Sequence, residues 1–252
     1  MVGRALFNSD GHRNLLLEDF GRGQMVQANQ HLIIHDGMGL LLDPGGHKTF
    51  KGALAEVTRE LAQGQLDYLF CSHQDPDVVA ALNGWLASTD AEVLISSLWQ
   101  RFIPHFGIEE MMAERLLSIP DEGMVIHLGD APLVVLPAHF LHSCGNFQLY
   151  DPTARILYSG DLGASLGVDY AEVDDFTRHI PYMESFHRRY MGSNALMRAW
   201  AQMARQLDIE IIAPQHGAHF VGRQMVEQLI GWCETLVCGA DLFASRLIVP
   251  SY

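Results

Sequence analysis

Short apolar runs separated by turn residues dominate the first half of the chain. They predict strands within the run 31–46, which folds back once, and at 66–72 and 92–96. Apolar residues at helical spacing predict helices over 51–63, over 76–87, and from the end of the 92–96 strand to about Leu117.

The second half begins with strands and continues with helices. Strands are predicted at 123–127, 132–137, 146–150, 155–159 and 209–213, and helices within 171–206 and over 221–237. Hairpins followed by alternating strands and helices in both halves favour an α+β fold with two sheets packed between helices. At 252 residues the chain is long enough for one large domain, and we expect a single domain over 1–252.

Composition narrows the function classes. The 30 acidic residues outnumber the 16 basic ones, and the formal net charge of −14 argues against binding to nucleic acid or to anionic membranes. We find no signal peptide and no apolar run of membrane-spanning length, so we expect a cytoplasmic protein. The four cysteines form no Cys-x-x-Cys pair, which excludes a zinc ribbon and a rubredoxin-like iron site.

The most informative motif follows the predicted strand 66–72. Here His73, Asp75 and Asp77 occupy alternate positions, and Pro76 separates the two acids. Imidazole and carboxylate groups in one turn suit a divalent metal pair. A purely structural role has about equal weight for this segment alone, because Asp75 also suits a helix N-cap and Asp77 suits the first helical turn.

Three later segments repeat the pattern of a strand that ends in a metal-binding residue. His142 follows the strand 132–137, Asp161 follows the strand 155–159 within Ser-Gly-Asp-Leu-Gly, and His216 follows the strand 209–213 within Pro-Gln-His-Gly. Loops at strand ends are where binding groups collect on a rigid scaffold. Four such strand ends in one chain predict a shared metal centre.

These motifs together resemble the metallo-β-lactamase superfamily, and more narrowly the di-iron domain of flavodiiron proteins. The first flavodiiron motif, His-x-Glu-x-Asp, stands here as His73-Gln74-Asp75-Pro76-Asp77, and the early Asp-x-Gly turn stands as Asp43-Pro44-Gly45. The resemblance covers most of the chain and implies the metallo-β-lactamase fold. It also implies two metal ions, with His73, Asp75 and His142 at one, Asp77 and His216 at the other, and Asp161 bridging them.

Two positions depart from the family pattern. Asp75 replaces the usual Glu and is one methylene shorter, so the first metal is expected to sit differently or to lose a bond to water. Val78 stands where hydrolases and many flavodiiron proteins carry a second His. If Val78 lies beside the second metal, that metal keeps open positions for water or for a small ligand.

The ligand set predicts the metal. Three His and three carboxylates form a harder and more anionic set than the nitrogen-rich set of zinc hydrolases, and this favours two Fe ions, with Zn or Mn as the alternatives.

The resemblance implies a function in the chemistry of O2 or NO. Flavodiiron proteins receive electrons from an FMN-binding flavodoxin domain, and this sequence has neither a Gly-rich phosphate loop nor room for such a domain. We therefore expect an O2 binder or oxygen sensor similar to the stand-alone oxygen-binding di-iron proteins, with a signalling protein as partner. The alternatives are an O2 or NO reductase that uses a separate reductase, and a di-zinc hydrolase. By analogy with flavodiiron proteins, we expect a homodimer.

Several other residues are candidates for supporting roles. His139 and His219 each lie three residues from a predicted ligand, and we expect them to donate hydrogen bonds to groups beside the ligands or to be ordinary satisfied histidines. The helical region 171–206 carries His179, Tyr182, His187 and Tyr190, and one of these side chains is a candidate to reach the open coordination face.

Overall fold

Two β-sheets lie face to face between two layers of helices in the computed structural model, which describes residues 4–21, 23–108 and 114–251. Within these residues the first sheet consists of β1 (Arg4–Ser9), β2 (His12–Leu16), β3 (His31–His35), β4 (Met38–Leu42), β5 (Gln65–Phe70), β6 (Glu92–Ser96) and β7 (Leu116–Ile119). The second sheet consists of β8 (Met124–Leu128), β9 (Ala131–Pro137), β10 (Phe147–Asp151), β11 (Ile156–Gly160), β12 (Ile211–Pro214) and β13 (Phe220–Val221).

The helices are short in the first half and longer in the second. They are α1 (Phe50–Glu60), α2 (Pro76–Val79), α3 (Leu82–Ser88), α4 (Phe176–Tyr190), α5 (Asn194–Ala204), α6 (Arg223–Thr235) and α7 (Ala240–Phe243), with 3-10 turns at Ile103–Phe106 and Ala244–Arg246. None of the helices in the described part of the chain has the length and apolar character needed to cross a membrane.

The direction of neighbouring strands determines which loops lie together at the same edge of a sheet. In the first sheet β1 to β4 are antiparallel, whereas β4, β5, β6 and β7 run parallel. In the second sheet β11 and β12 run parallel and the other pairings are antiparallel. Parallel neighbours present their carboxyl ends at the same edge, so the loops after β11 and β12 lie side by side.

Three apolar layers hold the elements together. The central layer joins the two sheets and contains Phe70 and Phe147, which are at most 1% exposed. A second layer packs α1 to α3 against the first sheet around Trp85, and a third packs α4 to α6 against the second sheet around Trp200. This is the predicted sandwich of two sheets between helices.

The structure corrects the prediction of a helix that reaches Leu117. The chain forms only the 3-10 turn Ile103–Phe106 there, residues 109–113 lie outside the described part, and Leu116–Ile119 is a strand parallel to β6. Leu116 packs in the helix-side layer and Ile119 in the central layer, so the strand buries both faces. A buried apolar run of four residues cannot be told from a helix by periodicity.

The predicted helix over 76–87 is divided into α2 and α3. The cause is the Asp43–Gly46 turn, whose Gly45 competes for the helical backbone groups. Gly45 donates its N–H to the Val78 carbonyl at 3.2 Å, and its carbonyl accepts from the Ala81 N–H at 3.0 Å. The hairpin of β1 and β2 was not predicted, because β1 is an edge strand whose residues are mostly exposed and show little apolar alternation.

Candidate metal centre

The six side chains predicted as metal ligands converge at one edge of the sandwich. They lie in four segments, which follow β5, β9, β11 and β12, with Asp77 in the first turn of α2 and the others in loops. The six residues are His73, Asp75, Asp77, His142, Asp161 and His216, and we call this set the metal centre.

Asp161 lies in the middle of the metal centre, and its Oδ2 faces one group of ligands. Nε2 of His142 is 2.7 Å from Asp161 Oδ2, and Nε2 of His73 is 3.9 Å from the same oxygen. Oδ2 of Asp75 completes this group, at 3.5 Å from His142 Nε2 and 3.6 Å from His73 Nε2.

The other oxygen of Asp161 faces the second group. Nε2 of His216 is 3.4 Å from Asp161 Oδ1 and 3.4 Å from Oδ2 of Asp77. Asp161 is 3% exposed, and its Oδ1 makes no hydrogen bond within the described residues. A buried carboxylate oxygen is costly without a hydrogen-bond partner, so this atom, with only the His216 imidazole 3.4 Å away, fits a position that faces a bound metal.

The imidazoles are oriented by hydrogen bonds behind them. Nδ1 of His216 donates to the Gln27 carbonyl at 2.6 Å, and Nδ1 of His73 lies 2.9 Å from Ser72 Oγ. Such bonds fix the ring so that Nε2 is free to face a metal. Both rings therefore present Nε2 to the carboxylates.

The Asp43 turn supports the loop that carries His73. Asp43 is buried, and its Oδ1 accepts the Ser72 N–H at 2.8 Å. Burial raises the pKa of Asp43 to about 6. Asp43 has a positive φ of 50°. This backbone conformation turns the chain directly after β4, where the Asp43 carboxylate meets the Ser72 N–H.

Several supporting residues were not predicted from the sequence. Gln74 Nε2 donates to Asp75 Oδ1 at 3.1 Å, and Gln74 Oε1 accepts from the Ser143 hydroxyl at 2.5 Å, which ties the Asp75 loop to the His142 loop. Gln215 Nε2 lies 3.3 Å from Asp77 Oδ2. Position next to a predicted ligand was the only signal for these amides in the sequence.

The electrostatics of the metal centre are those of imidazolium–carboxylate pairs. Burial lowers the pKa of His142, but the hydrogen bonds that its imidazole donates to Asp161 and Asp75 outweigh burial and raise it to about 10. The pKa of His216 is raised to about 9 for the same reason, with Asp161 as the main partner. Burial raises the pKa of Asp161, yet the surrounding imidazoles bring it well below its ordinary value. In the metal-free protein, protonated imidazoles offset the charge of the carboxylates. A bound metal pair is expected to take the place of these protons.

A cavity of about 670 Å³ opens onto the metal centre, and we call it the mouth cavity. Its floor contains Asp75, Asp77, His142, Asp161 and His216. Its walls contain the apolar side chains Met25, Val26, Leu166, Phe186 and Tyr190 together with Arg189. Five of the six predicted ligands are thus reachable from outside through a largely apolar opening, whereas His73 lies buried behind them.

The remaining candidates make their contacts elsewhere. Nε2 of His139 lies 2.8 Å from the Asp121 carbonyl, and Nε2 of His219 lies 2.9 Å from Nε2 of His31. Val78 is fully buried in the apolar layer around Trp85.

Among the candidates on α4, only Tyr190 reaches the metal centre directly. Its ring lies 5.6 Å from that of His142. His187 is buried behind the centre, where its Nε2 accepts the Gly163 N–H at 2.8 Å. His179 bonds to the Tyr170 hydroxyl at 2.7 Å, and Tyr182 is exposed.

We predict that His139→Ala leaves the metal content near that of the wild type. The imidazole of His139 points to the Asp121 carbonyl and packs against Phe147, so its loss removes no donor from the metal centre. Elemental analysis after metal loading measures the result, with His142→Ala as the matched variant that loses metal. Loss of one metal from His139→Ala would mean that the wrong histidine was chosen.

Comparison with known proteins assigns the family. Residues 26–217 match the profile of the family described as ODP family beta lactamase. The chain belongs to this ODP family. No curated protein sequence matches it.

Solved structures agree with the ODP assignment. The peroxy diiron species of chemotaxis sensor ODP is 40% identical to this chain, with a TM-score of 0.88, and covers 98% of this chain and 100% of its own. The apo state of chemotaxis sensor ODP from T. denticola is 39% identical, with a TM-score of 0.86, and covers 97% of this chain and 99% of its own.

The flavodiiron protein from Giardia intestinalis shares the fold with this ODP-family chain. It has a TM-score of 0.74 at 17% identity, and the match covers 92% of this chain and 58% of that protein. The resemblance to the metallo-β-lactamase superfamily and to flavodiiron cores, predicted from the motifs, is thereby confirmed.

Proposed function

We propose that this ODP-family chain holds two iron ions in its metal centre and binds O2 there as an oxygen sensor. The observation that carries the proposal is the position of Asp161, whose two oxygens face two separate groups of donors. Its Oδ2 faces His142, and its Oδ1 faces His216. The relatives described as a diiron chemotaxis sensor support the choice of iron and of a sensory role.

The donor set suits iron. His73, Asp75 and His142 would hold one ion and Asp77 and His216 the other, with Asp161 shared between them. Three imidazoles and three carboxylates match the preference of ferrous iron for mixed nitrogen and oxygen ligands. When bound, the two ferrous ions would supply two electrons to a bound oxygen molecule.

The chain itself orients the donor side chains and leaves the Asp77–His216 side of the metal centre open to the mouth cavity. The Asp77–His216 group offers one protein donor fewer than the other group, and both residues line the mouth cavity. An external ligand therefore has room on this side of the metal centre. Phe186 and Tyr190 stack at 4.6 Å between ring centroids and form an apolar wall of the opening, which favours entry of an uncharged gas.

The test is the response of the ferrous protein to O2. Protein loaded anaerobically to two irons per chain is expected to develop new visible absorption when O2 is added, whereas zinc-loaded protein stays colourless. His216→Ala serves as the comparison variant, because it leaves His73, Asp75 and His142 intact and removes the only imidazole of the Asp77–His216 group. A protein with two irons per chain and no optical change with O2 would contradict the proposal.

The same preparation separates a sensor from the alternatives. A sensor consumes at most a stoichiometric amount of O2 in an oxygen-electrode assay, whereas a reductase continues to consume O2 when an artificial electron donor is supplied. A hydrolase would cleave thioester, lactone or phosphodiester substrates in its zinc form. We further propose that a separate signalling protein receives the signal and that the chain forms a homodimer, which light scattering would measure.

A further inference from the structure

The mouth cavity is far larger than a diatomic gas requires. Its volume is about 670 Å³, whereas O2 needs little more room than a water molecule, about 30 Å³. Sites for organic ligands commonly measure about 300–1,000 Å³. The size of the cavity therefore leaves room for an occupant larger than O2.

The walls are apolar and partly open to solvent. Val26 is 57% exposed, Tyr190 55% and Leu166 44%, and all three line the cavity. Apolar side chains grouped around an opening mark a binding site rather than an ordinary surface. These side chains suit contact with the apolar part of a ligand.

One cation stands at the edge of this apolar wall. Arg189 lines the mouth cavity, and its guanidinium lies 4.5 Å from the ring centroid of Phe243. Within residues 4–21, 23–108 and 114–251 it makes no ion pair and no hydrogen bond, although acidic residues outnumber basic ones 30 to 16 in the chain. Its neighbour Arg188 does pair with a carboxylate, Glu184, at 3.6 Å.

A second cation reinforces the positive charge at this edge. The guanidinium of Arg246 lies 5.2 Å from the centroid of the same Phe243 ring. The shared ring places a second positive charge near Arg189, although Arg189 alone of the two arginines lines the cavity. An Arg guanidinium is the preferred partner of a carboxylate, which it binds through two parallel hydrogen bonds.

We propose that the mouth cavity binds an organic carboxylate, with its apolar body against Val26, Leu166 and Tyr190 and its carboxylate on Arg189. The proposal deepens the proposed function, because it rests on a metal-loaded centre. Asp75, Asp77 and Asp161 carry three negative charges, and two divalent cations would outweigh them by one. The loaded centre therefore no longer repels an anion at its mouth.

The experiment uses the full chain loaded with zinc, because zinc occupies the metal centre without reacting with O2. Metal content is measured first, and octanoate is then titrated by calorimetry, with 1-octanol as the uncharged ligand of equal length. Octanoate is expected to bind more tightly than 1-octanol. Arg189→Gln is expected to weaken octanoate binding by about tenfold, as loss of one charge-assisted contact predicts, and to leave 1-octanol unchanged.

Arg188→Gln is the matched control, since Arg188 is the adjacent residue on α4 and is paired with Glu184. It is expected to bind octanoate like the wild type. No octanoate binding to protein that contains two zinc ions, or equal losses in both variants, would overturn the proposal. Failure to bind two metals would instead contradict the proposed function, and the two failures are distinguished by the initial metal analysis.

Discussion

Replacing Asp161 by alanine is expected to remove both metal ions, which is a larger effect than the loss of any other single ligand. The two oxygens of Asp161 face the two donor groups separately, so the substitution removes one donor from each group at once. It also removes the only buried carboxylate of the metal centre, since Asp75 and Asp77 are both partly exposed. Binding of each metal ion is therefore expected to depend on Asp161, which both ions would share as a ligand.

Elemental analysis of protein loaded anaerobically with ferrous iron, and separately with zinc, measures the effect of Asp161→Ala. Asp169→Ala is the matched control, because Asp169 is an exposed carboxylate farther along the same loop region and lines no part of the mouth cavity. The control is expected to retain two metals per chain. Two metals per chain in Asp161→Ala would show that this carboxylate does not bridge them.

The convergence of the predicted ligand side chains could be anticipated from the sequence because each follows a strand with a clear apolar pattern. His73 follows β5, Asp161 follows β11 and His216 follows β12, and the parallel pairing of β11 with β12 brings the last two loops together. The apolar pattern of a strand and the metal-binding residue at its end lie within a few neighbouring residues, so both can be read from the sequence without knowledge of the fold. The agreement of several such ends, rather than any one motif, made the metal centre predictable.

The supporting residues were not predictable because their contacts join distant parts of the chain. Gln27 accepts a hydrogen bond from His216, and the Asn29 side chain donates to the Pro214 and Gly217 carbonyls. Residues 27–29 have no regular secondary structure, so no periodicity marks them. A polar side chain in a loop matches many roles until the fold shows what lies opposite it.

Local competition for backbone groups explains the error at α2 and α3. The prediction of one helix over 76–87 followed from propensity and spacing, which treat a segment as isolated. The fold instead places Gly45 against Val78 and Ala81 and takes over their hydrogen bonds. The short helix α2 begins at Pro76, with Asp75 as its N-cap residue and Asp77 in its first turn, so the start of this helix sets the positions of both acids.

Metal binding is expected to tighten steeply as the pH rises from 6 to 8. The pKa values of His142, about 10, and of His216, about 9, mean that both imidazoles carry a proton throughout this range in the metal-free protein. A metal binds only the neutral ring, so these two protons must leave, and the raised pKa of His73, whose partners include Asp75 and Asp161, adds to the number released. The product of the two metal-binding constants should then rise by at least about a hundredfold per pH unit, tenfold for each proton.

The stability of the metal-free fold should change in the opposite direction. A histidine whose pKa is raised from 6.5 contributes stability that is complete below about pH 6.5 and lost as the pH rises through about 9 and 10. The lowered pKa values of Asp75 and Asp161 contribute stability that is present above about pH 4 and lost as the pH falls. These pairs therefore stabilise the metal-free protein most between about pH 4 and 6.5, and the metal-loaded protein gains over it as the pH rises.

Calorimetry in buffers of different ionisation enthalpy measures the protons released per chain when zinc binds. We expect at least about two at pH 7, and the His139→Ala variant should release the same number because its imidazole lies outside the metal centre. Thermal unfolding at pH 6 and pH 8 supplies the second readout, in which the interval between the Tm values of loaded and metal-free protein widens at pH 8. Release of fewer than one proton, or equal intervals at the two pH values, would mean that protonated histidines do not hold the metal-free centre together.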